Sequence, residues 1–248
     1  MTRALKVLAL AAPLLFASPS YAATVAIGEQ ITNGSFSSGL TGWTQTGTTQ
    51  TRLSTDVINT QGGSAGFNSF FGTRFALLGD IEGNITNQTW DVYSSIAQTF
   101  TLAPTIGGTD VFSYDLVISF LTAFDGRDST GALHDVFLAE LVTPTGTITL
   151  FSQTSSGFPD VAPSTSATNN QLVNNPFSAS IFGLAPGSYT IRFVLDEKAD
   201  PSESIFTNTA AGIDSVSITG TAIPNPGTMA LLGLGIVVVG VMWGRKPS

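Results

Sequence analysis

Residues 136–151 read Val136-Phe137-Leu138-Ala139-Glu140-Leu141-Val142, then Thr143-Pro144-Thr145-Gly146, then Thr147-Ile148-Thr149-Leu150-Phe151. Pro144 presets the φ angle of a turn and Gly146 tolerates positive φ, so the four central residues predict a tight reversal. β-Branched and aromatic residues stand on both sides of the turn, which favours strands. The stretch therefore predicts an antiparallel β-hairpin.

The pattern of this hairpin recurs along the chain. Pro186-Gly187 predicts a turn, after which every second residue is apolar, as in a strand with one buried face: Tyr189, Ile191, Phe193 and Leu195. Further strands are predicted at Ser95–Leu102, Asp115–Ala123 and Ile213–Thr219. The polar stretch from Ser155 to Pro176 is predicted to be a long exposed loop. We expect an all-β chain, an antiparallel β-sandwich with jelly-roll topology.

The N-terminus has the order of a secretory signal peptide. Basic residues in Thr2–Lys6 precede a ten-residue apolar run, Val7–Phe16, and Ser20-Tyr21-Ala22 is a small-x-small cleavage site. The mature chain is expected to begin near Ala23 and to enter an oxidising compartment. Because the sequence holds no cysteine, disulfides cannot contribute to its stability.

The C-terminus carries a second signal. Ile223-Pro224-Asn225-Pro226-Gly227-Thr228 precedes an apolar run, Met229–Trp243, and then Arg245-Lys246. A terminal helix that is apolar on all sides and ends in cations suits a membrane better than a protein core. This order resembles the PEP-CTERM sorting signal of Gram-negative bacteria, in which Pro-Glu-Pro, a transmembrane stretch and a basic tail follow one another. Asn225 stands where that family usually has Glu.

The PEP-CTERM resemblance implies a route and a partner for the chain. It would cross the inner membrane by its signal peptide, be anchored transiently by the C-terminal helix, be processed by an exosortase-type enzyme, and reach the cell surface or the medium. The sorting motif would be Pro224, Asn225 and Pro226, with Arg245 and Lys246 as the membrane stop. The expected organisation is a signal peptide at 1–22, a β-sandwich ectodomain at 23–222 and the sorting signal at 223–248.

The charge of the region between the two signals limits its partners. All 17 acidic residues of the chain lie there, against five cations: Arg52, Arg74, Arg127, Arg192 and Lys198. Such a surface repels the phosphates of nucleic acids and of anionic lipids. We therefore expect no nucleic-acid partner for the folded region.

Two short segments add a second resemblance. Ile31-Thr32-Asn33-Gly34-Ser35-Phe36 with Gly39-Leu40-Thr41-Gly42-Trp43 is similar to the opening strand of galactose-binding-like sandwich domains, and Gly212-Ile213-Asp214-Ser215-Val216-Ser217-Ile218 is similar to their last strand. The resemblance implies a sandwich whose first and last strands lie close together. Ser37 stands where the family often has Glu.

Catalytic signals in the sequence are weak. Gly62-Gly63-Ser64-Ala65-Gly66 has the spacing of a nucleophile elbow, with Asp80 or Asp91 and His134 as partners, but no helix pattern follows it. With 26 glycines in the chain, a flexible turn is the better interpretation. His134 is the single histidine, which excludes zinc sites that need several imidazoles. It reads as a loop residue at a strand entrance, or as a contact at a ligand mouth. We expect no enzyme and no catalytic residue.

Acidic loops raise the question of calcium. Asp125, Asp128 and Asp135 cluster around one loop, and Asp214 begins the last predicted strand. Ca²⁺ prefers six to eight oxygen ligands, which closely spaced loop acids can supply. Solvated acidic loops explain the same pattern, so the expectation is no cofactor beyond at most one structural Ca²⁺.

Aromatic residues suggest a carbohydrate contact, since aromatic rings stack on sugar faces. Trp90 and Tyr93 are the candidates, whereas Trp43 in Gly-Leu-Thr-Gly-Trp reads as a packing residue. The sequence thus favours a non-enzymatic exported surface or matrix protein, structural or adhesive among exopolysaccharides. The alternatives are a carbohydrate-binding module and, third, a hydrolase.

Overall fold

The computed structural model describes residues 23–55, 57–60, 63–66, 70–79, 92–126, 134–156, 171–198 and 209–225. The regular elements within these ranges are β-strands: β1 (Val25–Ile27), β2 (Thr44–Thr46), β3 (Thr49–Leu53), β4 (Val57–Thr60), β5 (Gly63–Gly66), β6 (Arg74–Leu78), β7 (Val92–Leu102), β8 (Thr105–Ile106), β9 (Thr109–Gly126), β10 (Val136–Thr143), β11 (Gly146–Thr154), β12 (Gln171–Leu184), β13 (Gly187–Glu197) and β14 (Ala210–Pro224). Across those residues, we find no helix with the length and apolar character to span a membrane. The predicted C-terminal helix lies outside the described residues.

Two antiparallel sheets form the domain. One has the strand order β12-β9-β14-β6-β3, with β1 added on β14 and β8 on β9, and the other has the order β11-β10-β13-β7-β2. From β6 onwards the chain passes from one sheet to the other at nearly every connection, as it does in a jelly roll. The expected antiparallel β-sandwich is confirmed.

The predicted strands are present and mostly longer than expected. β10 and β11 form the hairpin, and Thr143 pairs with Gly146 across the turn. In β13, Tyr189, Ile191, Phe193 and Leu195 are all buried, as their alternation predicts. The predicted strands Asp115–Ala123 and Ile213–Thr219 lie within β9 and β14, which extend beyond the predicted ends at both sides.

The predicted loop from Ser155 to Pro176 is wrong over its last residues. Residues 171–176 belong to β12, the edge strand of the larger sheet, and Pro176 pairs with Leu121 of β9. An edge strand accommodates Asn and Pro because one side of its backbone has no partner strand, so the missing N–H of proline costs no ladder hydrogen bond there. The polar composition that suggested a loop is also typical of an edge strand.

Aromatic side chains join the two sheets. Phe120 of β9 meets Phe193 of β13 edge to face, with ring centroids 5.1 Å apart, and stacks on Phe177 of β12 at 4.5 Å. Trp43 lies buried against Phe36 and Phe193, in the packing role that its sequence context predicts. Burial of these rings supplies the main stabilisation in a chain without disulfides.

The sandwich has two distinct ends. At one, the short connection from Leu184 to Gly187 joins the sheets, and the chain leaves the domain at Pro224; we call this the exit end. At the other, Thr209 contacts Asp135 just before β10, and the connections at 80–91, 127–133, 157–170 and 199–208 start and finish; we call this the loop end. The two ends are separated by the length of β14, about 45 Å at 3.3 Å per residue.

Candidate functional site

Tyr93 lies on the outer face of the smaller sheet, near the loop end. Its side chain is 44% exposed, and it pairs with Asp196 of β13, which in turn pairs with Val136 of β10. Residues of β13 that alternate with the buried core positions share this face. We call it the Tyr93 face: Tyr93, Thr99, Glu140, Thr190, Arg192 and Asp196.

The polar groups of the Tyr93 face are paired with one another. Arg192 donates two hydrogen bonds to Glu140, at 3.0 Å from Nε and 2.6 Å from Nη2. Hydrogen bonding to Glu140 raises the pKa of Arg192, and the nearby Tyr93 adds a smaller contribution in the same direction. Lys198 forms an ion pair with Asp196 at 2.6 Å. These contacts hold the charged side chains in defined positions around the tyrosine ring.

Hydroxyl groups complete the Tyr93 face. The Thr99 and Thr190 hydroxyls lie 2.8 Å apart on adjacent strands. The exposed Tyr93 ring, with the Arg192–Glu140 and Lys198–Asp196 pairs on the same face, can stack on the apolar side of a sugar and present charged groups to its hydroxyls. The Thr99–Thr190 pair lies six residues further along the two strands, about 20 Å from Tyr93, so only an oligosaccharide could contact both. Trp90, the other predicted sugar contact, lies outside the described residues, two positions before β7 begins.

Asp135 is the most buried acid near this site, with 2% of its surface exposed. Its carboxylate accepts hydrogen bonds from the Lys198 N–H, at 2.7 Å, and from the Thr209 hydroxyl. Burial raises the pKa of Asp135 to about 6, against the lowering effect of both hydrogen bonds and of the adjacent His134. Asp135 therefore ties the start of β10 to the ends of the strands beside it.

The predicted calcium ligands have different surroundings. Asp214 is buried and accepts hydrogen bonds from the N–H groups of Gly72, at 2.7 Å, and Ser215, at 2.6 Å; burial raises its pKa. Asp125 pairs with Ala210 at the start of β14, four residues before Asp214. Asp128 lies outside the described residues, among which no cluster of three metal-binding side chains occurs. The calcium site stays a prediction.

The structure describes the positions of Ser64 and His134, the two residues with weak catalytic signals in the sequence. Ser64 lies inside β5, paired with Asn59 of β4, whereas a nucleophile elbow needs a strand-to-helix turn. His134 stands two residues before β10, half-buried, at the strand entrance that its sequence context predicts. That entrance is beside the Tyr93 face, because Val136 pairs with Asp196.

The Asn33–Trp43 segment is a structural turn and not the opening strand that the resemblance implies, since β1 ends at Ile27 and β2 begins at Thr44. Asn33, with φ of 56°, bonds through its side chain to the carbonyls of Gly39 and Thr41. Gln98 of β7 holds the same segment: its Oε1 accepts the Thr32 N–H at 2.6 Å, and its Nε2 donates to the Thr32 and Gly42 carbonyls. The segment also contacts β14, where the Val216 N–H donates to the Gly34 carbonyl, so the first and last parts of the domain lie together, as the resemblance implies.

The beginning of the sorting motif is part of the sheet. Pro224 is buried and pairs with Val111, and the Asn225 N–H donates to the Asp110 carbonyl at 2.9 Å. Pro226, Arg245 and Lys246 lie outside the described residues. β14 thus continues two residues past the expected domain boundary at 222, directly into the motif.

The sequence singled out Tyr93 as a candidate but gave no indication of the residues that share its face. Arg192, Glu140 and Thr99 come from three strands that are distant in sequence, and their proximity follows from strand register. The alternation of β13 does place Arg192 opposite the buried face, which is the one signal that could have identified it.

Comparison with known proteins gives one family match. Residues 222–246 match the model of the PEP-CTERM protein-sorting motif, which confirms the identification made from Pro224, the apolar run and the basic tail. No curated protein matches the chain.

Solved structures with a similar fold are distant in sequence. A cleaved adhesin domain of Lys-gingipain from Porphyromonas gingivalis is 10% identical over 79% of this chain and 98% of its own, with a TM-score of 0.40. The CBM22-1 xylan-binding domain of Paenibacillus barcinonensis Xyn10C is 13% identical over 80% of this chain and 96% of its own, with a TM-score of 0.32.

A larger protein matches over a part of its length. The enzymatically active domain of tailspike protein 4 from bacteriophage CBA120 is 14% identical over 77% of this chain, with a TM-score of 0.36, and this chain spans 21% of its length.

The strand order and the family match together describe the chain as a β-sandwich whose strand β14 runs directly into a PEP-CTERM protein-sorting motif at residues 222–246.

Proposed function

We propose that this chain is a non-enzymatic surface or extracellular-matrix protein, structural or adhesive among exopolysaccharides, which its C-terminal signal sorts after export. The observation that carries the proposal is the continuity of β14 with the sorting motif. Pro224 ends the sheet, and five residues later the apolar run begins at Met229. The sandwich therefore precedes the apolar run of the signal, as a cargo domain should.

Intact mass and N-terminal sequencing of the protein recovered from its own cells and medium test the sorting step. We expect a mature chain that starts near Ala23 and ends close to Pro226, because the signal peptide and the apolar run are both removed. A product that retains Met229–Ser248 in both fractions would mean that the helix is a permanent anchor, and the sorting proposal would be wrong.

A second candidate function is polysaccharide binding on the Tyr93 face. The exposed Tyr93 ring and the fixed Arg192–Glu140 pair support it, and the Thr99–Thr190 pair extends the polar surface along the strands for an oligosaccharide. A sugar stacked on Tyr93 would hydrogen-bond the flanking polar groups, which are already held in place and so lose little entropy on binding.

A glycan array followed by titration of any hit tests this candidate. Tyr93→Ala is expected to weaken binding at least about tenfold, since a stacked aromatic pair contributes on the order of 1 kcal/mol beyond its buried area. Tyr93→Phe keeps the ring and is the matched control, expected to bind nearly as well as the unaltered protein. If no glycan binds, or if the Ala variant binds equally well, polysaccharide binding on the Tyr93 face is refuted and the structural role alone remains as the proposal.

A further inference from the structure

Exposed apolar side chains concentrate at the exit end of the larger sheet. Phe182 of β12 is 72% exposed, Phe112 of β9 is 65% exposed, and Val25 of β1 is 39% exposed. Val25 pairs with Ala222, so it lies two residues from the end of β14. We call Val25, Phe112 and Phe182 the exit rim. Large exposed apolar side chains in one region usually mark a contact surface.

Both phenylalanines stand at β-bulges. Phe112 is the extra residue of β9 where the register against β14 shifts next to Pro224. Phe182 precedes Gly183, whose φ of 73° marks the bulge of β12, and the Gly183 N–H donates to the Asp115 carboxylate at 2.9 Å. A bulge redirects a side chain, and here each one turns a large ring towards solvent instead of the core.

An apolar groove adjoins the rim. It has a volume of about 200 Å³ and is lined mainly by apolar residues, among them Val25, Ile106, Val111 and Pro224. The charged side chains that β9 carries beside the rim, Asp110 and Asp115, are both acidic. The surface at this end is therefore apolar with a negative fringe.

The position of the exit limits what can cover this surface. Pro224 is fixed by its pairing with Val111 and Asn225 by its bond to the Asp110 carbonyl. Asn225 and Met229 are four peptide units apart, and a fully extended chain spans at most about 3.6 Å per unit, so the two residues lie within about 14 Å of each other. If the apolar run is in a bilayer, the exit end lies at the bilayer surface.

We propose that, while the chain is anchored, the exit rim contacts the lipid interface and holds the sandwich upright with its loop end directed away from the membrane. This inference rests on the proposed insertion of Met229–Trp243. Apolar side chains such as Phe on an interfacial surface are buried at the boundary between lipid headgroups and acyl chains. The orientation directs Tyr93 and His134 towards the surroundings of the cell.

The acidic fringe selects the kind of lipid. Asp110 and Asp115 repel anionic headgroups, so the contact is made with zwitterionic lipid, and added salt does not weaken it. A basic surface patch would give the opposite dependence, with stronger binding to anionic lipid and release by salt.

Site-directed labelling tests the contact, because the chain has no cysteine of its own. Phe112→Cys and Phe182→Cys, each carrying an environment-sensitive dye, are prepared in the chain from Ala23 to Ser248 and inserted into phosphatidylcholine vesicles that contain a lipid-attached quencher. Leu53→Cys is the matched control. Leu53 is 39% exposed, like Val25. It lies in β3, which pairs with β6, and β6 pairs with β14 at Ala211–Ile213. Leu53 is therefore in the half of the sheet nearer the loop end.

The expected result is loss of most of the emission at positions 112 and 182, with little change at position 53. Resistance of the chain to carbonate extraction shows separately that the C-terminal run is inserted. Equal emission at all three positions in carbonate-resistant protein would overturn the lipid contact and leave the membrane anchor intact. If the dye emission instead falls as protein density rises in vesicles without the lipid quencher, the rim contacts a second copy of this chain. That result would also overturn the inference.

Discussion

Replacement of Asp135 by Asn should change how the stability of the domain depends on pH. Asp135 is 2% exposed, and burial raises the pKa of its carboxyl group from 3.8 to about 6. Asn has the same shape and keeps a carbonyl oxygen for the Lys198 N–H, and the Thr209 hydroxyl can accept from the new amide. The substitution therefore removes the titration with little change in packing.

The sign of the effect follows from proton binding. An acid with a raised pKa in the folded state takes up a proton more readily there than in the unfolded chain, so protonation favours folding. The stabilisation by Asp135 is complete below pH 3.8 and is lost as the pH rises through about 6. Lowering the pH from about 7.5 to about 5 should thus raise the free energy of unfolding by about 1.4 kcal/mol through this group.

Urea unfolding of both proteins at the two pH values measures the effect. Acidification should stabilise the unaltered protein by roughly 1 kcal/mol more than it stabilises Asp135→Asn. Asp214, whose pKa is also raised by burial, is present in both proteins and cancels in the difference. Asp110→Asn is the control for the loss of one negative charge, since it removes the same charge from an exposed position. Identical pH dependence in the protein and in Asp135→Asn would refute the reasoning, because it would mean that Asp135 titrates alike in the folded and unfolded chains.

Three further predictions concern stability and metal binding. Gly34→Ala should destabilise the domain by more than about 2 kcal/mol in urea unfolding, because the added Cβ would overlap the Val216 carbonyl oxygen. Gly28→Ala is the control, since its added Cβ meets no atom within 4 Å. Equal stability of the two variants would contradict the steric account. Gln98→Met should cost about 1–2 kcal/mol, since it removes the hydrogen bonds that the buried Gln98 side chain makes with Thr32 and Gly42, and protection of residues 30–43 in hydrogen exchange should fall with it; unchanged protection would show that Gln98 does not hold the segment. If the predicted structural Ca²⁺ exists, a chelator should lower the melting temperature and added Ca²⁺ should restore it, whereas a melting temperature that neither treatment moves would rule it out.

Local sequence patterns were sufficient for six of the strands: β7, β9, β10, β11, β13 and β14. The hairpin of β10 and β11 needs only a Pro-containing turn between two β-branched runs, and the alternation of Tyr189, Ile191, Phe193 and Leu195 reports a strand with one buried face. β12 was misjudged in part because an edge strand has a partner on one side and tolerates the same polar residues and proline that a loop does. The sequence pattern cannot distinguish these two cases, since the difference lies in whether β9 is beside the segment.

The sequence by itself determined that the folded region is all-β and that residues 222–246 are a PEP-CTERM sorting motif; the N-terminal signal peptide stays a prediction. Each of these depends on residues that are neighbours along the chain: a turn with its flanking strands, or an apolar run with its basic tail. The tertiary structure decided which polar residues surround Tyr93, why Asp135 and Asp214 have raised pKa values, and where the exit rim lies. These properties depend on register and burial, which join residues as far apart as Thr99 and Thr190 or Phe112 and Phe182. Such pairings are set by the packing of the whole sandwich, and no local pattern contains them.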